Sequence, residues 1–116
     1  MLTRLEHCLL SRTIDDIEPL HILYKDARRD FKELTFTSFI EALVKLYNLG
    51  YVEAIIENIG KPEKEMSKDD LLEHYHGDLT EKEINIYPDV TEYYFKATPE
   101  GRLEEAKDIY DQYYPD

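Results

Sequence analysis

Residues 36–57 read FTSFIEALVKLYNLGYVEAIIE, and the order of signals within them decides the fold. Phe36, Phe39, Ile40, Leu43, Val44 and Tyr47 recur at i, i+3, i+4, i+7, i+8 and i+11, the spacing of one buried helical face. Thr35 or Thr37 stands where a side-chain oxygen caps the helix start. Gly50 can enter a left-handed helix end without a Cβ clash. The run that follows, YVEAIIE, is rich in β-branched residues and alternates in polarity, which predicts a strand. The helix turns Ser38, Glu41, Lys45 and Asn48 outward. One reading of that set is a solvated face. The other is contact with base edges, for which Ser, Lys and Asn are suitable chemistry and Glu41 serves only a cytosine amine.

Working towards the C-terminus, the matching strand is Glu92–Thr98, EYYFKAT, in which Tyr93, Phe95 and Ala97 alternate against Tyr94, Lys96 and Thr98. The two strands are natural antiparallel partners, yet 34 residues separate them, far beyond an ordinary hairpin loop. Residues 59–91 are polar, acidic and bounded by Gly and Pro, so they read as an insertion at the hairpin tip. Ser67 with Asp70 predicts a short helix through Leu71, Leu72 and Tyr75 up to Gly77, and Thr80 with Glu83 forms a second capping signal. Thr98-Pro99-Glu100 then opens another helix: N-cap threonine, proline in the first position, acid in the first turn. Along it Leu103, Ala106, Tyr110 and Tyr113 form a narrow seam, extended by Tyr114. That seam docks either on its own domain or on a second copy of the chain.

Towards the N-terminus, Leu2, Leu5, Leu9 and Leu10 line a short helix that Ser11 and Thr13 are expected to break. Asp16 is the expected N-cap of the next helix, with Ile17, Glu18 and Pro19 in its first turn. Ile17, Leu20, Tyr24, Ala27, Phe31 and Leu34 supply its apolar stripe, to about Phe31. Lys25, Arg28, Arg29 and Lys32 are the chain's basic cluster, with Asp26, Asp30 and Glu33 interleaved. That mixture reads as a helix surface carrying its own salt-bridge partners, with a phosphate-binding patch as the alternative.

At 116 residues, 42% hydrophobic and 34% charged, the chain suits a single globular domain over residues 1–116. No apolar run approaches the roughly 20 residues of a membrane span, and MLTRLEHCLLSR lacks the pattern of a secretory signal. The single cysteine, Cys8, fits a reducing cytoplasm and reads as a small core hydrophobe. The net charge of −12 is uneven: residues 1–58 carry 7 basic and 10 acidic groups, residues 59–116 carry 7 and 16. Such a surface repels phosphate backbones at long range. His74-x-His76 is the one cluster with metal-ligand residue types, but an i, i+2 pair on a helix diverges, so no metal is expected. His7 and His21 are isolated in sequence. With no phosphate loop, nucleophile elbow or thiolate–histidine signature, no enzyme and no cofactor are expected.

Leu43-x-x-Leu46-x-x-x-Gly50-Tyr51-Val52, followed by EYYFKATPEGR over residues 92–102, resembles the winged helix-turn-helix domains of bacterial regulators of the MarR and PadR kind. The match covers about 30 of the 116 residues. The resemblance implies an α+β, mainly helical winged-helix domain, with the acidic insertion enlarging its wing. Thr37–Leu49 takes the part of the recognition helix and 51–57/92–98 that of the wing. It implies double-stranded DNA as partner, with Ser38, Lys45 and Asn48 facing bases and Arg28, Arg29 and Lys32 facing phosphates. It also implies a homodimer through flanking helices, which suits Leu103, Tyr110, Tyr113 and Tyr114. A scaffold does not fix a function, so a second reading stays open. In it the chain is an acidic protein–protein interaction module of inhibitor or immunity type, meeting a basic protein through residues 63–92 and the tyrosine patch.

Overall fold

The computed structural model describes residues 1–57 and 92–114. The expected insertion, its short helix, its second capping signal and the His74/His76 pair lie outside the described residues. Within them the fold is α+β and mainly helical, with one small antiparallel sheet. The elements are α1 (Arg4–Arg12), β1 (Glu18–Pro19), α2 (Leu20–Asp30), α3 (Phe36–Asn48), β2 (Val52–Glu57), β3 (Glu92–Ala97), α4 (Pro99–Glu105) and a 3₁₀ segment (Asp108–Tyr113).

The organising stretch folds as its pattern requires. Thr35 caps α3 by accepting the Ser38 N–H, and Phe36, Phe39, Ile40, Leu43 and Leu46 are fully buried. Tyr24 of α2 meets Phe36 edge-on, with ring centroids 5.2 Å apart. Gly50 has φ of 80°. Around it the Gly50 N–H bonds to Tyr47 O and the Tyr51 N–H to Leu46 O, the paired bonds of a Schellman ending. The chain leaves as β2, which pairs antiparallel with β3 in the register Val52↔Ala97, Ala54↔Phe95 and Glu57↔Glu92. Val52, Ala54, Phe95 and Ala97 point into the core, while Glu53 and Lys96 point out.

Two N-terminal expectations are corrected. Ser11 does not break α1, which begins with a Thr3/Glu6 capping box and runs to Arg12. It ends at Thr13, whose hydroxyl turns back to Leu10 O at 2.7 Å. Asp16, Ile17, Glu18 and Pro19 do not open α2. Glu18 and Pro19 instead form a two-residue strand on the outer side of β3, opposite Phe95 and Tyr94, giving the sheet order β1-β3-β2. Proline disfavours helical geometry in the residue before it and is tolerated on a sheet edge, where its missing N–H costs no ladder bond. Asp16 spends its carboxylate on the next residue, Ile17 N–H, at 2.8 Å. Ile17 is accordingly exposed, and α2 starts at Leu20.

The second half is fastened to the first at the start of α4. Thr98 caps the helix by accepting the Gly101 N–H, and its hydroxyl donates to Gly50 O at 2.5 Å. Its N–H donates to Tyr51 O at 3.0 Å. The backbones pass so closely that a Cβ on Gly101 would stand 2.0 Å from Tyr51 O. A helical Gly→Ala change ordinarily stabilises, by up to about 1 kcal/mol. Here the sign reverses: Gly101→Ala is expected to cost at least about 2 kcal/mol through overpacking against main chain. Urea unfolding should show the midpoint falling with the m-value unchanged; an equal or higher midpoint refutes the contact.

Candidate nucleic-acid interface

The charges of α2 alternate in sequence but separate in space. Leu20, Leu23, Tyr24 and Ala27 face the core. On one flank Asp26 and Asp30 reach α1, where Arg12 Nη1 lies 3.3 Å from Asp26 and Nη2 lies 3.1 Å from Asp30. On the other flank Lys25, Arg28 and Arg29, spaced i, i+3 and i+4, line a single shallow groove with Lys32 of the turn that follows α2. Arg29 also reaches back to Asp26 at 3.3 Å, an exposed pair of small energetic weight. Arg28 lies over the Tyr24 ring, 5.7 Å from its centroid. Lys32 shares a second depression with Phe31, Glu33, Leu34, Thr35 and Ser38, so the groove adjoins the start of α3 across a wall that carries one base and one acid.

The expected outward face of α3 is exposed at Ser38, Glu41, Lys45 and Asn48, but these residues do not act as a unit. The Ser38 oxygen accepts the Thr35 hydroxyl at 3.0 Å. Lys45 leans the other way, towards α1, and its Nζ lies 3.2 Å from the Glu6 carboxylate. It lines a different depression, with Met1, Leu49, Tyr51 and Glu104. Arg28, Arg29 and Lys32 are thus brought together, joined by Lys25 and adjoined by Ser38. Lys45 is separated from them.

The C-terminal seam does not form. α4 ends at Glu105, Lys107 is extended, and the chain resumes as the 3₁₀ segment, so the helical spacing is lost. Leu103 is 74% exposed while Tyr110 is 1% exposed. The tyrosines clasp α1 of their own chain. Tyr110 accepts the Leu2 N–H at 3.0 Å, and the Tyr113 hydroxyl donates to Leu2 O at 2.8 Å. The Tyr114 hydroxyl lies 2.9 Å from His7 Nδ1, and Tyr114 remains partly exposed.

His7, isolated in sequence, is buried: it stacks on Tyr110 with centroids 4.3 Å apart, and its Nε2 meets Glu105 O. Cys8 is half-buried on the wall of a cleft of about 580 Å³ between α1 and this C-terminal segment, not packed inside the core. Neither the clasp nor the cleft left a local signal, because each joins residues about a hundred positions apart. Comparison with protein-family models, curated proteins and solved structures finds no match to this chain.

Glu104 is the hub of the clasp. Its buried carboxylate receives the Lys107 ammonium at 2.8 Å, the Tyr110 hydroxyl, and the Tyr51 hydroxyl at 3.2 Å. The Lys107 and Tyr110 bonds hold its carboxyl below the usual range. Burial, and then the bond to Glu104, pushes Tyr110 up to about 12. Because Tyr110 keeps its proton longer when folded, its contribution is full below about pH 10 and disappears as pH rises to about 12. Glu104 contributes above the normal glutamate range and loses that contribution as pH falls through its depressed value. Tyr110→Phe should therefore cost about 1–3 kcal/mol at neutral pH and flatten the alkaline loss of stability. Denaturant titrations at pH 7 and between pH 9 and 12 check both; an unchanged alkaline slope refutes the assignment.

Proposed function

We propose that this chain is a DNA-binding regulator of the winged-helix kind. One observation carries the reading: four cations gathered in one groove on α2, continuous through Lys32 with the N-terminal end of α3. Guanidinium forks and lysine ammonium groups in a row are the chemistry that neutralises successive phosphates. The element order supports it as well, since α2, a short turn and α3 are followed by the antiparallel β2/β3 pair that the resemblance assigns to a wing. α1 and β2 pack against α3, and its residues Ser38, Glu41, Lys45 and Asn48 stay exposed.

The alternative reading, an acidic interaction module, draws on a different observation. Lys45, the lone cation of α3, is neutralised by Glu6, and the net charge of −12 favours a basic protein partner. The two readings separate in solution. A DNA-binding chain retards mixed duplex fragments at about 50 mM salt and loses most of that affinity by about 200 mM. Arg28→Glu with Arg29→Glu should abolish the retardation while leaving the far-ultraviolet circular dichroism unchanged. Failure of the wild type to retard any fragment at low salt overturns the proposal and leaves the interaction module as the standing reading.

A further inference from the structure

Resting on that reading, we infer that the α2 groove grips the phosphate backbone of duplex DNA without sequence readout, because α1 withholds the cation of α3. The exposed side of α3 offers one cation, Lys45, and one acid, Glu41. Lys45 is itself half exposed, but the acid it meets is buried. Its Nζ sits 3.2 Å from both oxygens of Glu6, whose side chain is only 9% exposed. Glu6 is itself fixed, since its Oε1 accepts the Thr3 N–H at 2.8 Å within the capping box of α1. Pulling Lys45 away to a base or phosphate leaves a buried carboxylate without its counter-charge, which is the costly way to break such a pair. The Ser38 oxygen is occupied by the Thr35 hydroxyl, and Glu41 repels phosphates. Of the expected base-facing residues, the Ser38 hydroxyl keeps its donor and Asn48 its amide among the described residues, and neither brings a charge.

The groove has the opposite character. Lys25, Arg28 and Arg29 lie on one flank of α2 with Lys32 just beyond its end, and the neighbouring carboxylates Asp26 and Asp30 are drawn to the other by Arg12. From Lys25 to Arg29 four helical steps span about 6 Å, and Lys32 extends the row from the turn after Asp30. Up to four phosphates neutralised gives a slope of log K against log salt no steeper than about −3.6.

The test is fluorescence anisotropy of the full chain on three labelled duplexes of unrelated sequence, at several salt concentrations. The expected result is affinities agreeing within about threefold, with a slope between about −2 and −3.6. Arg28→Ala, Arg29→Ala and Lys32→Ala should each make the slope shallower by about one unit. Lys45→Ala and Asn48→Ala should stay within about twofold of wild type. Glu6→Gln keeps the Thr3 N–H bond but removes the charge, and should free Lys45, tightening binding several-fold and steepening the slope by about one.

Lys45→Ala alone strands the Glu6 carboxylate, so the double Glu6→Gln/Lys45→Ala variant serves where the single one unfolds; it too should match wild type. A sequence preference above about tenfold that vanishes in Asn48→Ala overturns the inference, as does a Lys45→Ala loss equal to that of Arg28→Ala. Those outcomes leave the DNA-binding reading intact. Absence of wild-type binding to all three duplexes overturns both.

Discussion

The close passage of Gly101 against the Tyr51 main chain is the contact through which the two halves of the fold find their places. α3 ends in a left-handed turn whose carbonyls, Gly50 O and Tyr51 O, are taken by the Thr98 hydroxyl and N–H. That fixes where β3 hands over to α4, and α4 in turn sets the position of Glu104. Glu104 receives Tyr51 and Tyr110, and Tyr110 holds the Leu2 N–H at the head of α1. α1 so placed presents Glu6 to Lys45. The state of the outward face of α3 is therefore settled by a glycine about fifty residues further along. A side chain there forces apart two backbones that have no slack, since both are already committed to hydrogen bonds.

A second constraint acts through Arg12. One guanidinium has donors enough for two carboxylates, and it takes Asp26 and Asp30 from the same side of α2. Of the acids that a linear reading distributes among the lysines and arginines, Asp26 and Asp30 are gathered towards α1, while Glu33 stays beside Lys32. The bases are left as neighbours, with Arg29 reaching back to Asp26. In sequence the segment is a mixed-charge helix; in three dimensions it has an acidic flank facing its own protein and a basic flank facing solvent. The partition is built by a residue outside the helix.

This is also why the chain was legible in some places and closed in others. Phe36 to Val52 announces itself because a buried helical face, a left-handed glycine and a strand are local phenomena, each with its own spacing rule. Thr98-Pro99 is equally local. The β2/β3 pairing followed from composition alone despite the long separation, since few other runs offer a matching alternation. Glu18-Pro19 misled because a carboxylate before a proline suits both a helix start and a sheet edge, and only the presence of β3 decides between them. The tyrosine seam misled for a related reason: the helical spacing of Leu103, Ala106, Tyr110 and Tyr113 assumes a continuous helix, whereas α4 stops at Glu105. For the candidate site, the i, i+3, i+4 placement of Lys25, Arg28 and Arg29 was readable, with Lys32 following beyond the helix end. The removal of Lys45 by Glu6, 39 residues away, was not.

The acidity of the whole chain and the basicity of one groove act over different distances. At about 0.15 M salt charges further apart than about 8 Å scarcely sense one another across solvent, so a phosphate in the groove responds to the nearby cations of α2 more than to distant carboxylates. At about 0.01 M the screening length grows to about 30 Å and the net charge of −12 reaches any approaching polyanion. Salt therefore has two opposed effects: it competes with the groove for phosphates, and it hides the rest of the protein from them. An acidic protein with a confined basic groove should consequently show a shallower salt dependence than its cation count alone implies. It also gains discrimination against loose association, because a polyanion that misses the groove meets a protein of net negative charge.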